Sequence, residues 1–147
     1  MGAVLTHMNE AIVGPTQSEP LSKTSKFLMA QGCIYAVMGL NFLLVPELFA
    51  KLFMFEITGD SAPWRLLGME VSVISYFYIM SARANSRYFA TTTVLDRVVL
   101  CPVLVLATYV GAPPLLCYSC AFLELLLAIL TSMSISADDD KAEKKST

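Results

Sequence analysis

One run constrains the fold of this chain more than any other. Residues 114–135, PLLCYSCAFLELLLAILTSMSI, are almost wholly apolar yet carry an acid, Glu124, near the middle. A bilayer core is about 30 Å thick and an α-helix rises about 1.5 Å per residue, so about 20 apolar residues span it. A carboxylate at mid-depth costs roughly 2.5–3.5 kcal/mol on insertion scales, so it needs a partner, a proton or a task.

Three further runs have the same character: 27–45, 63–82 and 91–110. The chain is 56% hydrophobic and 15% charged, against about 25% charged in soluble domains. A soluble fold would have to hide four runs of spanning length. The expected fold class is therefore all-α: a four-transmembrane-helix bundle covering residues 26–136. Residues 46–55 are too short to span and place Leu48, Phe49, Leu52 and Phe53 on one face. They predict a short interfacial amphipathic helix between spans one and two. Pro102 removes one backbone bond inside span three and predicts a kink. Gly111-Ala112-Pro113-Pro114 predicts a tight turn that makes spans three and four antiparallel neighbours.

The flanks are polar. Residues 1–25 read as a flexible N-terminal tail without the apolar core of a signal peptide. Its first residues, Met1-Gly2-Ala3-Val4-Leu5-Thr6, fit an N-myristoylation pattern at Gly2, an alternative to an unmodified start. Residues 137–147 read as a charged, solvated C-terminal tail. Lys23, Lys26, Arg83, Arg87, Lys141, Lys144 and Lys145 fall at one end of the expected bundle, and only Lys51 and Arg65 at the other. That asymmetry predicts an integral, multi-pass protein with both termini cytoplasmic, in an endomembrane if the cell is eukaryotic. A net charge of −2 gives no basic surface for nucleic acid.

Counting rise from the helix ends places Glu70 about 10 Å deep and Glu124 about 15 Å deep from the same side. Asn41 and Arg65 approach that layer. Gln31, Tyr78, Asp96 and Arg97 form a second layer nearer the cytoplasm. Cys117, Cys120, Glu124, Ala128 and Thr131 share the small, polar face of span four, which should look inward. Under a structural reading these acids are neutral or paired and hold helices in register. Under a chemical reading Glu124 is a general acid and Glu70 its base or partner, acting on an apolar substrate beside the rings of Tyr76, Tyr78 and Tyr118. Cys117-Tyr118-Ser119-Cys120 allows a third reading, a thiol redox protein, against two packed thiols. The only histidine, His7, lies in the tail, so neither a metal nor a cofactor is expected.

The segments Pro46-Glu47-Leu48…Phe53, Pro63-Trp64-Arg65-Leu66-Leu67-Gly68 and Phe89-Ala90-Thr91-Thr92-Thr93-Val94-Leu95-Asp96-Arg97 resemble small four-span membrane proteins of the p53-inducible protein 11 and DoxX-like type. The resemblance covers spans one to three. It implies a compact four-helix fold in which Arg65, Gly68 and Arg97 matter, and it supplies no catalytic residue.

These readings converge on a small membrane protein that packs with a membrane complex or binds a lipophilic partner amid membrane lipids. The alternative is an intramembrane isomerase, cyclase or epoxide hydrolase acting on a lipid, terpenoid or polyketide through Glu124 and Glu70.

Overall fold

The structure is a computed structural model that describes residues 20–146. Gly2, His7 and the first nineteen residues of the expected tail lie outside the described residues. The described chain is all-α: α1 (Lys23–Leu44), α2 (Pro46–Leu52), α3 (Ala62–Arg83), α4 (Arg87–Ala107) and α5 (Pro114–Ser146), with a 3-10 turn at Thr108–Val110.

Three helical segments are long and apolar enough to cross a membrane: Lys23–Leu44, Arg87–Val110 and Pro114–Lys144. The expectation was four. The second expected span, now α3, has the length but not the hydropathy, because Arg65, Glu70 and Arg83 join Ser72, Ser75, Tyr76 and Tyr78 along it. Several of those polar groups are spent on packing. The Ser75 hydroxyl donates to the Gly32 carbonyl of α1 at 2.8 Å, and Ser72 donates to Gly68 of its own helix at 2.8 Å.

The serines belong to a seam of small residues between α1 and α3, where the two helices pack closely. A Cβ at Gly68 would lie 2.7 Å from the Gly39 carbonyl oxygen, and one at Gly32 would lie 2.7 Å from the Ile79 side chain. Only hydrogen at these positions lets the two backbones touch, as small-residue interfaces in membrane helices do. α4 and α5 form the second close pair, joined through the turn at Gly111, whose φ of +96° suits a residue without a Cβ. α4 runs unbroken through Pro102. The two pairs meet mainly where α1 lies against α5.

The two ends are tied differently. At the α2 end, Phe42, Phe49, Phe53, Phe55 and Trp64 stack in a chain of rings 4.0 to 6.2 Å apart, which docks the short amphipathic helix and the start of α3. At the opposite end the expected loose C-terminal tail is helical through Ser146. Its acids are in use: Asp138 accepts from the Lys23 and Thr24 backbone N–H groups at 3.2 and 2.9 Å and from the Thr24 hydroxyl at 2.7 Å. Those orphan donors open α1, so a carboxylate there completes the helix. Partial burial works to raise the Asp138 pKa, but the bonds from Thr24 and Lys23 outweigh it and hold the carboxyl below its ordinary range. Arg87 of α4 pairs with Asp139. The start of α1, expected inside the N-terminal tail, is ordered for the same reason: Ser22 accepts from the Ser25 N–H and donates its own N–H to Asn85.

Candidate functional site

The centre of the bundle is polar. Arg97 of α4, only 1% exposed, reaches between the helices and is the largest fully buried side chain. Its Nε lies 2.9 Å from Glu124 Oε2 of α5. Its Nη2 donates to Gln31 Oε1 of α1 at 2.8 Å, to the Tyr78 hydroxyl of α3 at 2.8 Å and, more weakly, to the Tyr35 hydroxyl at 3.4 Å. Its Nη1 donates to Thr131 Oγ1 of α5 at 3.1 Å. One guanidinium thus joins α4 to the other three long helices, using the fixed fork of donors that lysine lacks.

The partners are tied to one another. Tyr35 donates to Glu124 Oε1 at 2.7 Å. Gln31 donates to Thr131 at 3.1 Å, and Thr131 donates to the Leu127 carbonyl at 2.6 Å. The Arg97 guanidinium also lies 5.5 Å from the centre of the Tyr78 ring, in cation–π range. Burying a charge is tolerable only when it is paired and hydrogen-bonded: Arg97 is ion-paired with Glu124 and hydrogen-bonded through both Nη atoms, while its buried Nε makes the ion-pair contact without a hydrogen bond.

Beside the cluster, α3 and α4 stand apart and leave a groove of about 540 Å³ between them. Its walls are mostly apolar, with Val71 and Ile74 on α3, Leu100 and Leu104 on α4, and Phe42 and Leu116 beyond them. Polar groups gather along one part of it: Tyr35, Tyr78 and Glu124 from the cluster, and Thr92, Thr93 and Asp96 from α4. Cys117 and Cys120 also line it, and all four cysteines are free thiols.

Not every residue expected at a site comes to this one. Glu124, Arg97 and Tyr78 meet as described. Glu70 does not meet Glu124: it lies exposed on α3, and Glu124 is engaged by Arg97 and Tyr35 instead. The inward face of α3 is Gly68, Ser75, Tyr78 and Ala82, and two residues beyond Gly68 turns a side chain about 200° away from it. Asn41 donates to the Val37 carbonyl of its own helix, and Arg65 donates to the Leu43 carbonyl and to Ser61 near the aromatic end. The layer expected from Asn41, Arg65, Glu70 and Glu124 therefore does not form. Asp96 lines the groove rather than joining Arg97, because adjacent residues on a helix diverge by about 100°. Tyr76 and Tyr118 are exposed.

Tyr35 is the member that sequence reasoning missed. The signal was the spacing of Leu28, Gln31, Tyr35 and Phe42, all buried on one face of α1, in which two polar residues sit four apart on an apolar stripe. On the far side of the groove, the inward face of α5 carries Cys117, Leu127, Ala128 and Thr131, all buried. Among the described residues no group of three or more His, Cys, Asp or Glu side chains converges on one point. In comparison with known proteins, no family model, no curated protein and no solved structure matches this chain.

Proposed function

We propose that this chain is a four-span membrane protein that binds a lipophilic molecule in the groove between α3 and α4. The observation that carries the reading is the groove itself: about 540 Å³ of mostly apolar space with its polar groups gathered along one part. Small-molecule sites are typically concave, of about 300–1,000 Å³, and mostly apolar with a few placed polar groups. In a bilayer such a groove opens sideways to lipid, so an apolar ligand enters without crossing water.

α3 supplies the fourth span in this reading. Of its polar groups Ser75 and Tyr78 face inward, and Leu66, Met69 and Val73 are exposed beside Glu70 and Tyr76, a mostly apolar surface of the kind lipid requires, interrupted by one acid. Lys23, Lys26, Arg83, Arg87, Lys141 and Lys144 then lie at one end of the bundle, which the distribution of basic residues makes cytoplasmic, with both termini on that side. α2 lies at the other interface.

A second reading rests on one geometry. Tyr35 and Glu124 both line the groove and share a 2.7 Å hydrogen bond. Glu124 is engaged by Arg97 and accepts from the Tyr35 hydroxyl, so in this reading Glu124 serves as a base or as a stabiliser of positive charge and Tyr35 as the hydroxyl donor. That is an isomerase-type or cyclase-type arrangement with its acid and base reassigned from the Glu124–Glu70 pair.

The test is photo-crosslinking of the full chain in nanodiscs with a diazirine-bearing fatty alcohol, mapped by peptide. Labels are expected on the groove walls of α3 and α4. Val71→Trp, which fills the groove, should abolish them, and Val99→Trp on the exposed face of α4 should not. Equal labelling of all lipid-facing positions, indifferent to Val71→Trp, overturns the binding reading. A Tyr35→Phe variant that keeps the label but loses turnover of a bound substrate would favour the second.

A further inference from the structure

The groove contains an acid that the fold leaves unanswered. Asp96 lines it from α4 and makes no hydrogen bond or ion pair with any described residue. Its nearest candidates on the same helix are already committed: Thr92 donates to the Tyr88 carbonyl at 2.9 Å and Thr93 to the Ala90 carbonyl at 2.8 Å. Asp96 is nine residues into α4, about 13 Å along its axis. A short side chain at that depth cannot snorkel to the headgroups as lysine or arginine does. The neighbouring guanidinium of Arg97 is turned into the bundle and consumed by Glu124, Gln31, Tyr78 and Thr131.

The charge balance of the lining follows. The described residues that line the groove include two acids, Asp96 and Glu124, and no Lys, Arg or His. Glu124 is ion-paired from behind by Arg97, which leaves Asp96 as the acid of the lining with no cation beside it among the described residues. The Tyr78 ring, packed edge-on against Phe89 at 5.1 Å, lines the same groove, as do Tyr35 and Phe77, and aromatic faces favour a cation. Beyond Asp96 the wall turns apolar through Leu100 and Leu104 to Leu116, about 12 Å of helix on α4 alone.

We infer that the groove selects a lipophilic amine, with its ammonium against Asp96 among the aromatic rings and its hydrocarbon tail along Leu100, Leu104 and Leu116. The inference rests on the binding reading above and specifies its ligand class. An intramembrane carboxylate without a partner is costly, and a ligand that brings the missing cation turns that cost into selectivity. A neutral lipid of the same length fills the apolar part and leaves Asp96 as it was.

The experiment uses the full chain in nanodiscs of phosphatidylcholine, which carries no net charge. N,N-Dimethyldodecylamine and dodecanol compete against the photo-crosslinking fatty alcohol for the groove. In the native chain the amine is expected to protect at concentrations at least tenfold lower than the alcohol. Asp96→Asn should erase that preference, Asp96→Glu should keep it, and Glu70→Gln, outside the groove, should leave it unchanged. Helicity and elution volume confirm that each variant is folded, and the Asp96→Glu result carries the test if Asp96→Asn is not. Equal protection by both compounds, or a preference that survives Asp96→Asn, overturns the amine assignment and leaves the binding reading standing. Failure of both compounds to protect, with labelling indifferent to Val71→Trp, overturns both.

Discussion

Two arginine–carboxylate pairs tie α4 to α5, and they differ in almost everything but chemistry. Arg97–Glu124 sits at the centre with side chains 1% and 13% exposed. Arg87–Asp139 sits at the helix ends with side chains 66% and 42% exposed. The inner arginine satisfies partners on three other helices, whereas the outer one bonds Asp139 alone among the contacts of its side chain. In water-exposed positions such a pair contributes about 0–1 kcal/mol, because solvent screens it and the long side chains must be ordered. In the interior the pair is no great source of stability compared with apolar packing, yet removing one member strands the other charge at a cost of about 3–5 kcal/mol. The lesson is that the inner pair fixes which helices meet and in what register, while the outer pair trims the ends.

Substitutions at the two pairs test that contrast directly. Arg97→Met should cost about 3–5 kcal/mol by stranding Glu124, seen as a large drop in the thermal midpoint or loss of folded protein in detergent. The double variant Arg97→Met, Glu124→Leu should recover much of that loss, and a double-mutant cycle measures the coupling. If Arg97→Met is as mild as a change at Arg87, the contrast between the pairs is wrong. Gly68→Val comes next. Its Cβ would fall 2.7 Å from the Gly39 oxygen, and overpacking of this kind costs about 1–3 kcal/mol. A smaller effect is expected for Asp138→Ala, about 1 kcal/mol for the loss of a carboxylate that caps the first turn of α1. The Asp138 contribution has a defined pH course. Its folded pKa lies below the ordinary value of 3.8, so its stabilisation is complete above that value and fades as the pH falls through the lower folded pKa. The difference between native and Asp138→Ala midpoints should therefore be flat near neutrality and shrink only in strong acid. Smallest of all, Arg87→Ala should shift stability by less than about 1 kcal/mol, and salt should shrink even that.

The same contrast explains what could be read in advance. Helix positions came from apolar runs and punctuation: Pro46 at the start of α2, Ser86 capping α4, and Gly111 closing the turn into α5 all mark boundaries locally. Gly32 and Gly39 stand seven residues apart and so share a face of α1, a pattern the sequence carries, but that this face meets Gly68 and Ser72 of α3 is seen only in the structure. Depth counting also brought Gln31, Tyr78 and Arg97 to one level. It failed for Glu70 because depth says nothing about azimuth. Glu70 and Glu124 have similar rise from their helix ends, yet they point to different sides of the bundle.

The outer end was misread for a related reason. Asp138 and Asp139 look like a solvated charge run, and their partners, Lys23, Thr24 and Arg87, are distant in sequence. Only the antiparallel return of α5 brings them to the starts of α1 and α4.

By itself, then, the sequence determined the number of helices and the turns between them, but not the length of α5, which runs through the expected tail to Ser146. These follow from local hydropathy, backbone restrictions and side-chain size, which a linear pattern records. The tertiary structure alone decided that Arg97, not Glu70, answers Glu124, that α3 and α4 part to leave a groove, and that Asp96 faces it without a partner among the described residues. Those outcomes depend on how each helix is rotated about its axis against three others, and that rotation is set by the packing of the whole bundle at once.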